Sequence, residues 1–405
     1  MKLFVPFFLM MFILVGCISN ENKYYMPYSG GFVPLITIDS SQPKVLDWDN
    51  AEEVKFEDII EDIRYIPLRD EEGIMGEQIN QLLYCNGIFY LLDFQQDEVF
   101  LYNEEGRCVK KISDRGQGPK EYIAIGNIDI NPETSELYVQ DRILSSVLVY
   151  DLNGNFKYKF KLPVQNSVVY SIGDSTRLVQ MQAFQNKGSE EMEGYSYLVM
   201  KGDSAYRKGF KYLPSQIGFC GADGVNDSYD NQSLYYQPLF SDSIYHVLSD
   251  SVCSLAYYFK DKESVWKKHW ESDKFVNMIN AQGTAIMDIY DLREQLLAYV
   301  NEGIGKRLKV MIYDKRNGKT YDMSYNRAKD VDKIHDMWGL NLSGTYKGEY
   351  VACLLSSSYI EENMRARVEA GELEITNPKL KDIVMEIDSD CNPVLVLVKF
   401  KLPSQ

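Results

Sequence analysis

The chain has 405 residues, 45% hydrophobic and 25% charged, a globular balance that excludes general disorder, a collagen-like fibre and a polytopic membrane protein. With 43 basic against 59 acidic residues the formal charge is -16, so a binder of nucleic acid or anionic lipid needs a local basic patch to overcome that field. No run along the sequence supplies one, and no nucleic-acid partner is expected.

Lys2 precedes an apolar run from Leu3 to Gly16 that Pro6 interrupts, too short to span a bilayer comfortably and patterned as a secretory signal. Leu14-Val15-Gly16-Cys17 resembles the bacterial lipobox, which implies that Cys17 is acylated and begins the mature chain. Two or more acyl chains give stable anchoring where one is marginal, so the expected membrane partner is reached through a lipid anchor. A plain signal peptide, or a single anchor helix with an incidental cysteine, is the alternative. The division is therefore residues 1–16 as signal peptide, 17–45 as lipidated tether rich in Ser, Asn, Gly and Pro, and 46–405 as the folded body. Ile18 to Lys23 lacks the acidic run that resembles a surface-export signal, so periplasmic and surface placements on the outer membrane both stay open.

Self-similarity sets the architecture of the body. Ile88-Phe89-Tyr90-Leu91-Leu92-Asp93 returns as Leu137-Tyr138-Val139-Gln140-Asp141, 49 residues on, and Val99-Phe100-Leu101-Tyr102 with Asn103 and Gly106 returns as Val147-Leu148-Val149-Tyr150 with Asp151 and Gly154, 48 residues on. Each unit reads strand, turn, strand, turn, with Asn153-Gly154 a tight-turn signal. The phase continues through Tyr197 to Met200, Ser243 to Val247 and Val310 to Asp314. Asn392 to Phe400 supplies a last strand and Ile63 to Leu68 an early one, and pairing the two closes a ring. The expected fold is all-β, a six-bladed β-propeller with short helical insertions in the C-terminal half. One insertion holds a helix over Ser272 to Ile279. In the other, Ser358-Tyr359-Ile360-Glu361 reads as a capping box, with Ile360, Met364 and Val368 on one face until Gly371. Cys85, Cys108, Cys220, Cys253, Cys353 and Cys391 form no C-x-x-C pair, and several sit in apolar runs, which favours buried free thiols over disulfides.

Four segments also carry a resemblance: Tyr65-Ile66-Pro67-Leu68, Gly116-Gln117-Gly118-Pro119-Lys120-Glu121-Tyr122, Phe240-Ser241-Asp242-Ser243-Ile244-Tyr245 and Asp390-Cys391-Asn392-Pro393-Val394-Leu395. Together they resemble the marker segments of the six-bladed β-propeller lipoproteins of Gram-negative gut anaerobes, a family related in shape to NHL-type propellers. The likeness spans about residues 46 to 405, and G-Q-G-P-x-E-Y is its most specific part. It implies an envelope-located propeller and brings neither an activity nor a catalytic residue.

Signals for chemistry are sparse. His246, His269 and His335 have no second histidine or cysteine at i+3 or i+4, so no metal is expected, and no cofactor is named. Asp223 to Asn231 is dense in oxygen ligands but lacks calcium-loop spacing and reads as a polar inter-blade loop. No G-x-S-x-G elbow or reactive-cysteine signature occurs, and no catalytic residue is assigned. Gly116-Gln117-Gly118-Pro119 lacks the Lys-Ser/Thr of a phosphate loop and reads as an inter-blade connection whose glycines take positive φ. Arg115, Gln117, Glu121 and Tyr122 are candidates for lining a channel mouth. Most of the 30 tyrosines fall at strand positions, while Tyr235-Tyr236 and Tyr257-Tyr258 lie off phase as candidates for an exposed ligand platform.

These readings favour a non-catalytic envelope module that binds a glycan, a peptide or an outer-membrane protein partner. One rival is an enzyme of glycan hydrolase or lyase type with acids or a metal at the channel mouth, and the other is a scaffold of an outer-membrane complex. Converging acids with displaced pKa values would mark the enzyme, two or more coplanar exposed aromatics a glycan binder, and a broad apolar patch the scaffold.

Overall fold

The computed structural model describes residues 33–34, 36–37 and 42–402, less 70–72, 74, 77–78, 163, 165–166, 174–175, 182–194, 203, 212–223, 229–232, 239–240, 248–251, 264–283, 302–307 and 324–341. Six antiparallel sheets follow one another along the chain. Blade one is Ile79–Cys85, Ile88–Asp93, Glu98–Asn103 and Cys108–Ile112. Blade two is Ile125–Asn131, Glu136–Asp141, Ser146–Asp151 and Phe156–Lys161. Blade three is Ser167–Ser171, Thr176–Met181, Tyr195–Lys201 and Ser204–Lys211. Blade four is Gly224–Asp227, Leu234–Gln237, Ser243–Val247 and Val252–Lys260. Blade five is Ala285–Asp291, Gln295–Asn301, Leu308–Asp314 and Thr320–Met323. Blade six takes Leu342–Tyr346, Tyr350–Leu355 and Val394–Phe400 from the C-terminal end, and Ile60–Pro67 from near the start pairs antiparallel with Val394–Phe400. The first strands of blades one and two, two and three, four and five, five and six, and six and one meet, so each is the innermost of its blade. The six-bladed propeller is as expected.

The second and third strands of blades one and two are covered on both faces, which is why they read as unbroken apolar runs, whereas their fourth strands are largely exposed and mix lysines with apolar residues. Period two then divides each run between two neighbours. Leu137 and Val139 pack toward blade one with Tyr90 and Leu101, while Tyr138 turns the other way, onto Val179 and Leu198 of blade three. Six apolar clusters result, each bridging two adjacent blades and the last rejoining blade six to blade one. The repeat signature Asn/Asp with a downstream glycine is the turn between third and fourth strands. Asn103, Asp151 and Asp314 each accept backbone amides through Oδ1, and Gly106, Gly154 and Gly318 take φ of 75°, 77° and 76°.

Two expectations are revised. Part of the segment read as tether is a strap: Val33–Pro34 pairs in parallel with blade three's outermost strand, Ile36–Thr37 and Lys44–Asp47 with blade four's, and Glu52–Val54 with blade five's. The insertion helix spans residues 357–369 with a wide π turn at Ile360–Arg365, and its cap is Ser356, whose hydroxyl accepts the Tyr359 amide, rather than Ser358. Ile360 and Met364 are buried as expected, and Gly371 lies just beyond its end with φ of 73°. A second helix, Pro378–Glu386, is capped by Asn377 and buries Leu380, Ile383 and Val384 against blade six. The expected helix over 272–279 lies outside the described residues, as does Cys220. Of the other five, Cys85, Cys253 and Cys353 are buried and Cys108 and Cys391 half-buried.

Gly106 sits where blade six meets blade one: its carbonyl accepts the Arg69 amide, and a Cβ there would overlap the Pro67 carbonyl. Gly202, also at positive φ, has open space around it. Gly106→Ala should therefore cost at least about 3 kcal/mol, against about 1 kcal/mol for Gly202→Ala. Denaturant unfolding of both variants checks this, and equal losses would mean that the seam tolerates displacement.

Candidate functional site

The innermost strands have no neighbour on the axial side, so backbone groups there need other partners. Side chains from the adjacent blade supply them. Gln81 Nε2 donates to Ile128 O at 2.8 Å while its Oε1 accepts the Ile128 amide at 3.0 Å. Asn127 Nδ2 donates to Val169 O, Asp129 Oδ2 accepts the Ser171 amide at 2.6 Å, and Asn131 Nδ2 donates to Gly173 O. Between blades five and six, Tyr290 donates to Leu342 O at 2.7 Å and the Tyr299 hydroxyl accepts the Leu342 amide. A bulge recurs in the innermost strands just before Gln81, Asn127 and Asp288, the device by which a strand re-aims a side chain.

Three carboxyls from different blades act electrostatically within this ring. Burial and the Asp227 carboxylate push Asp129 well above the ordinary carboxylate range, against the pull of the Ser171 and Ile130 amides. Burial pushes Asp227 up to about 6. The Tyr170 hydroxyl is raised by burial and then by Asp227, Asp129 and Asp288, so acids from blades two, four and five all act on one group from blade three. Burial and Asp288 likewise raise Tyr290, whose hydroxyl lies 3.0 Å from Asp288 Oδ2. Its single proton serves either that oxygen or Leu342 O, and a proton on Asp288 would complete both bonds. Asp227 lies in the segment read as an inter-blade loop. Gly224–Asp227 is instead blade four's innermost strand. Among the described residues no three His, Cys, Asp or Glu side chains are grouped to hold a metal ion.

One face of the ring carries the loops between second and third strands and those between successive blades. Asp93 and Asp141 close the former, each accepting two amides through Oδ1, and hold the latter through Oδ2, which takes the Gly76 and Ile123 amides respectively. The Gly116 to Tyr122 loop belongs here. Its glycines leave room for a close approach, correcting the positive-φ reading: neither has positive φ, and Cβ atoms at Gly116 and Gly118 would crowd the Glu121 carboxylate, which accepts the Gly118 amide at 2.7 Å. Glu121 is thus turned into its own loop. Tyr122 is fully buried, its hydroxyl donating to Asp97 O at 2.6 Å. Arg115 reaches to 3.8 Å from Asp97 with most of its side chain exposed, and Gln117 is exposed.

Tyr235, Tyr236 and Tyr257 are buried, which corrects the expectation of an exposed platform. Tyr236 bonds the Ser196 hydroxyl across blades three and four, and Tyr235 stacks on His246 at 4.7 Å and packs toward blade five. Exposed apolar surface occurs instead in the blade-two loop on the Arg115 face, where Ile143 is 55% and Leu144 40% exposed, their amides held by Asp141. Beside them the Arg142 guanidinium lies over the Phe94 ring at 4.9 Å. Only the tight spacing behind Asp141 hinted at this patch.

A carboxyl with a higher pKa folded than unfolded binds more protons in the native state, so its contribution to stability falls as pH rises from about 4 to about 6. Asp227→Asn should therefore raise stability at pH 7 by up to about 3 kcal/mol, with the gain vanishing below about pH 4. Thermal unfolding of both proteins across that range measures the difference. A loss at pH 7 would mean that a favourable partner holds the carboxylate.

Comparison with known proteins adds the family and the fold. The family model described as "Domain of unknown function (DUF4934)" matches residues 36–399. A solved protein of Bacteroides fragilis NCTC 9343 named for its expected export is similar over 88% of this chain and 100% of its own, with 17% identity and a TM-score of 0.72. A DUF4221 family member from Bacteroides vulgatus ATCC 8482 is similar over 85% of this chain and 98% of its own, at 14% identity and a TM-score of 0.51. No functionally curated protein matches. No described helix is long and apolar enough to cross a membrane. With the match covering nearly all of the ring, the chain belongs to the DUF4934 family.

Proposed function

We propose that this propeller is a non-catalytic cell-envelope module, lipid-anchored through Cys17, that binds a peptide or protein partner on the Arg115 face. The exposed Ile143–Leu144 pair carries the reading. Two aliphatic side chains held outward by a buried aspartate, with Arg142 and Arg115 on the same face, form a small preorganised contact for an extended chain. Gln117 adds a polar group. A glycan platform has less support, because Tyr158, at 38%, is the only exposed aromatic among the described residues.

The enzyme reading keeps one observation in its favour, the joint action of Asp129, Asp227 and Asp288 on the Tyr170 hydroxyl. A protonated carboxyl beside an ionised one is the arrangement acid-base chemistry uses.

Thermal-shift screening against peptides, glycans and divalent metals separates the two. A shift with peptides that is lost in Ile143→Asp/Leu144→Asp, while unliganded stability moves by no more than about 0.5 kcal/mol, is the expected result. Glycan turnover lost in Asp227→Asn with stability retained would move the assignment to the channel. Cys17→Ala should shift the protein from the membrane to the soluble fraction, and retention in membranes would count against the anchor.

A further inference from the structure

The outermost strands of blades one and two, Cys108–Ile112 and Phe156–Lys161, read CVKKI and FKYKFK, carrying five lysines and no acid in a chain of charge -16. They are neighbours in space. The Lys110 side chain lies against Gly154 of blade two, Lys120 lies over the Phe156 ring at 5.7 Å, and Lys159 Nζ donates to Glu121 O at 2.8 Å. Some of this charge is engaged, since Lys157 pairs with Glu136 at 2.5 Å and Lys111 with Glu98 at 3.4 Å. Lys110, Lys161, Lys120 and Arg107 remain exposed. The basic patch that linear sequence did not supply is assembled by folding two strands side by side.

Two further observations give this rim a direction. Among the few exposed large apolar side chains are Val109 at 51%, just before Lys110, and Tyr158 at 38%, between Lys157 and Lys159. Basic side chains interleaved with an aromatic and an aliphatic group suit a bilayer interface. The strap covers the outer edges of blades three, four and five and leaves these two edges without a fifth strand among the described residues. Its first described strand, Val33–Pro34, lies on blade three's edge beside Arg207 and Lys208, one blade away from the lysine-rich rim. We propose that the rim of blades one and two is a membrane-contact surface that binds anionic lipid headgroups, setting the ring on its side against the bilayer. Edge lysines also guard strands against pairing with other chains. That role alone gives no reason for Val109 and Tyr158 to stand exposed among them.

The test uses residues 18–405, which keep every described strand and lack the acylation site, so binding is read apart from anchoring and from the partner reading above. Cosedimentation is measured with vesicles of phosphatidylcholine alone and of phosphatidylcholine mixed with phosphatidylglycerol. Preferential binding to the anionic vesicles, lost at high salt, is expected. Lys110→Gln/Lys161→Gln should lower the partition coefficient about twenty-five-fold, at about fivefold per lysine. Lys379→Gln/Lys381→Gln, the same charge change on the exposed face of the C-terminal helix, should leave it nearly unchanged. Equal binding to both vesicles, an equal effect of the two variants, or binding to heparin without binding to vesicles would overturn the proposal.

Discussion

A ring of blades has no end until its last sheet accepts a strand from the other end of the chain, and here Ile60–Pro67 supplies it, in register with Val394–Phe400 from Pro67 opposite Val394 to Ile60 opposite Phe400. Every apolar cluster lies between two blades, so opening one seam uncovers apolar surface on both sides and loosens the ring for the rest. The closing seam is reinforced accordingly. Glu104 of blade one accepts hydrogen bonds from Tyr84 at 2.6 Å and from Tyr346 at 3.0 Å, and pairs with Lys347 at 2.9 Å. The Tyr84 hydroxyl, then Lys347, hold its carboxyl below the usual range. Lys347 reaches across because it and Gly348 form a turn with φ of 53° and 65°.

Closure also explains the strap. Once Ile60–Pro67 is fixed in blade six, the residues before it must leave along the outside, and the open outer edges of blades five, four and three lie on that path. Parallel pairing there satisfies backbone groups that would otherwise be exposed as templates for other chains. Lysines on the uncovered edges of blades one and two meet the same hazard by charge.

The blades were legible because their signals are local: apolar runs of strand length, and an Asx turn whose glycine must take positive φ. Closure followed from the pairing of an early strand with a late one. Other features depend on contacts between distant residues. The role of Gly116 and Gly118 is set by Glu121 folding back onto them, which no propensity reveals. Tyr235 and Tyr236 looked off phase only because the repeat spacing stretches near them, while each fills a gap between blades. The Asn-Pro pair at Asn377-Pro378 was a readable helix start, with a capping side chain ahead of a residue that needs no amide partner. The channel acids come from four-to-seven-residue strands on separate blades, so nothing in their spacing joins them.

Those acids also bear on whether the channel is only a seam. Asn127, Asp129 and Asn131 alternate on one strand, and each bonds the backbone of blade three. An asparagine at 129 could accept the Ser171 amide through its own carbonyl, so the latch itself requires no charge. A carboxyl is costlier there, because it is buried and faces Asp227, and the two cannot both ionise freely. The axis therefore holds titratable groups beyond what interlocking blades two and three needs. Polar closure explains the asparagines, whereas the aspartates give the ring's centre a proton-dependent charge that its packing does not use.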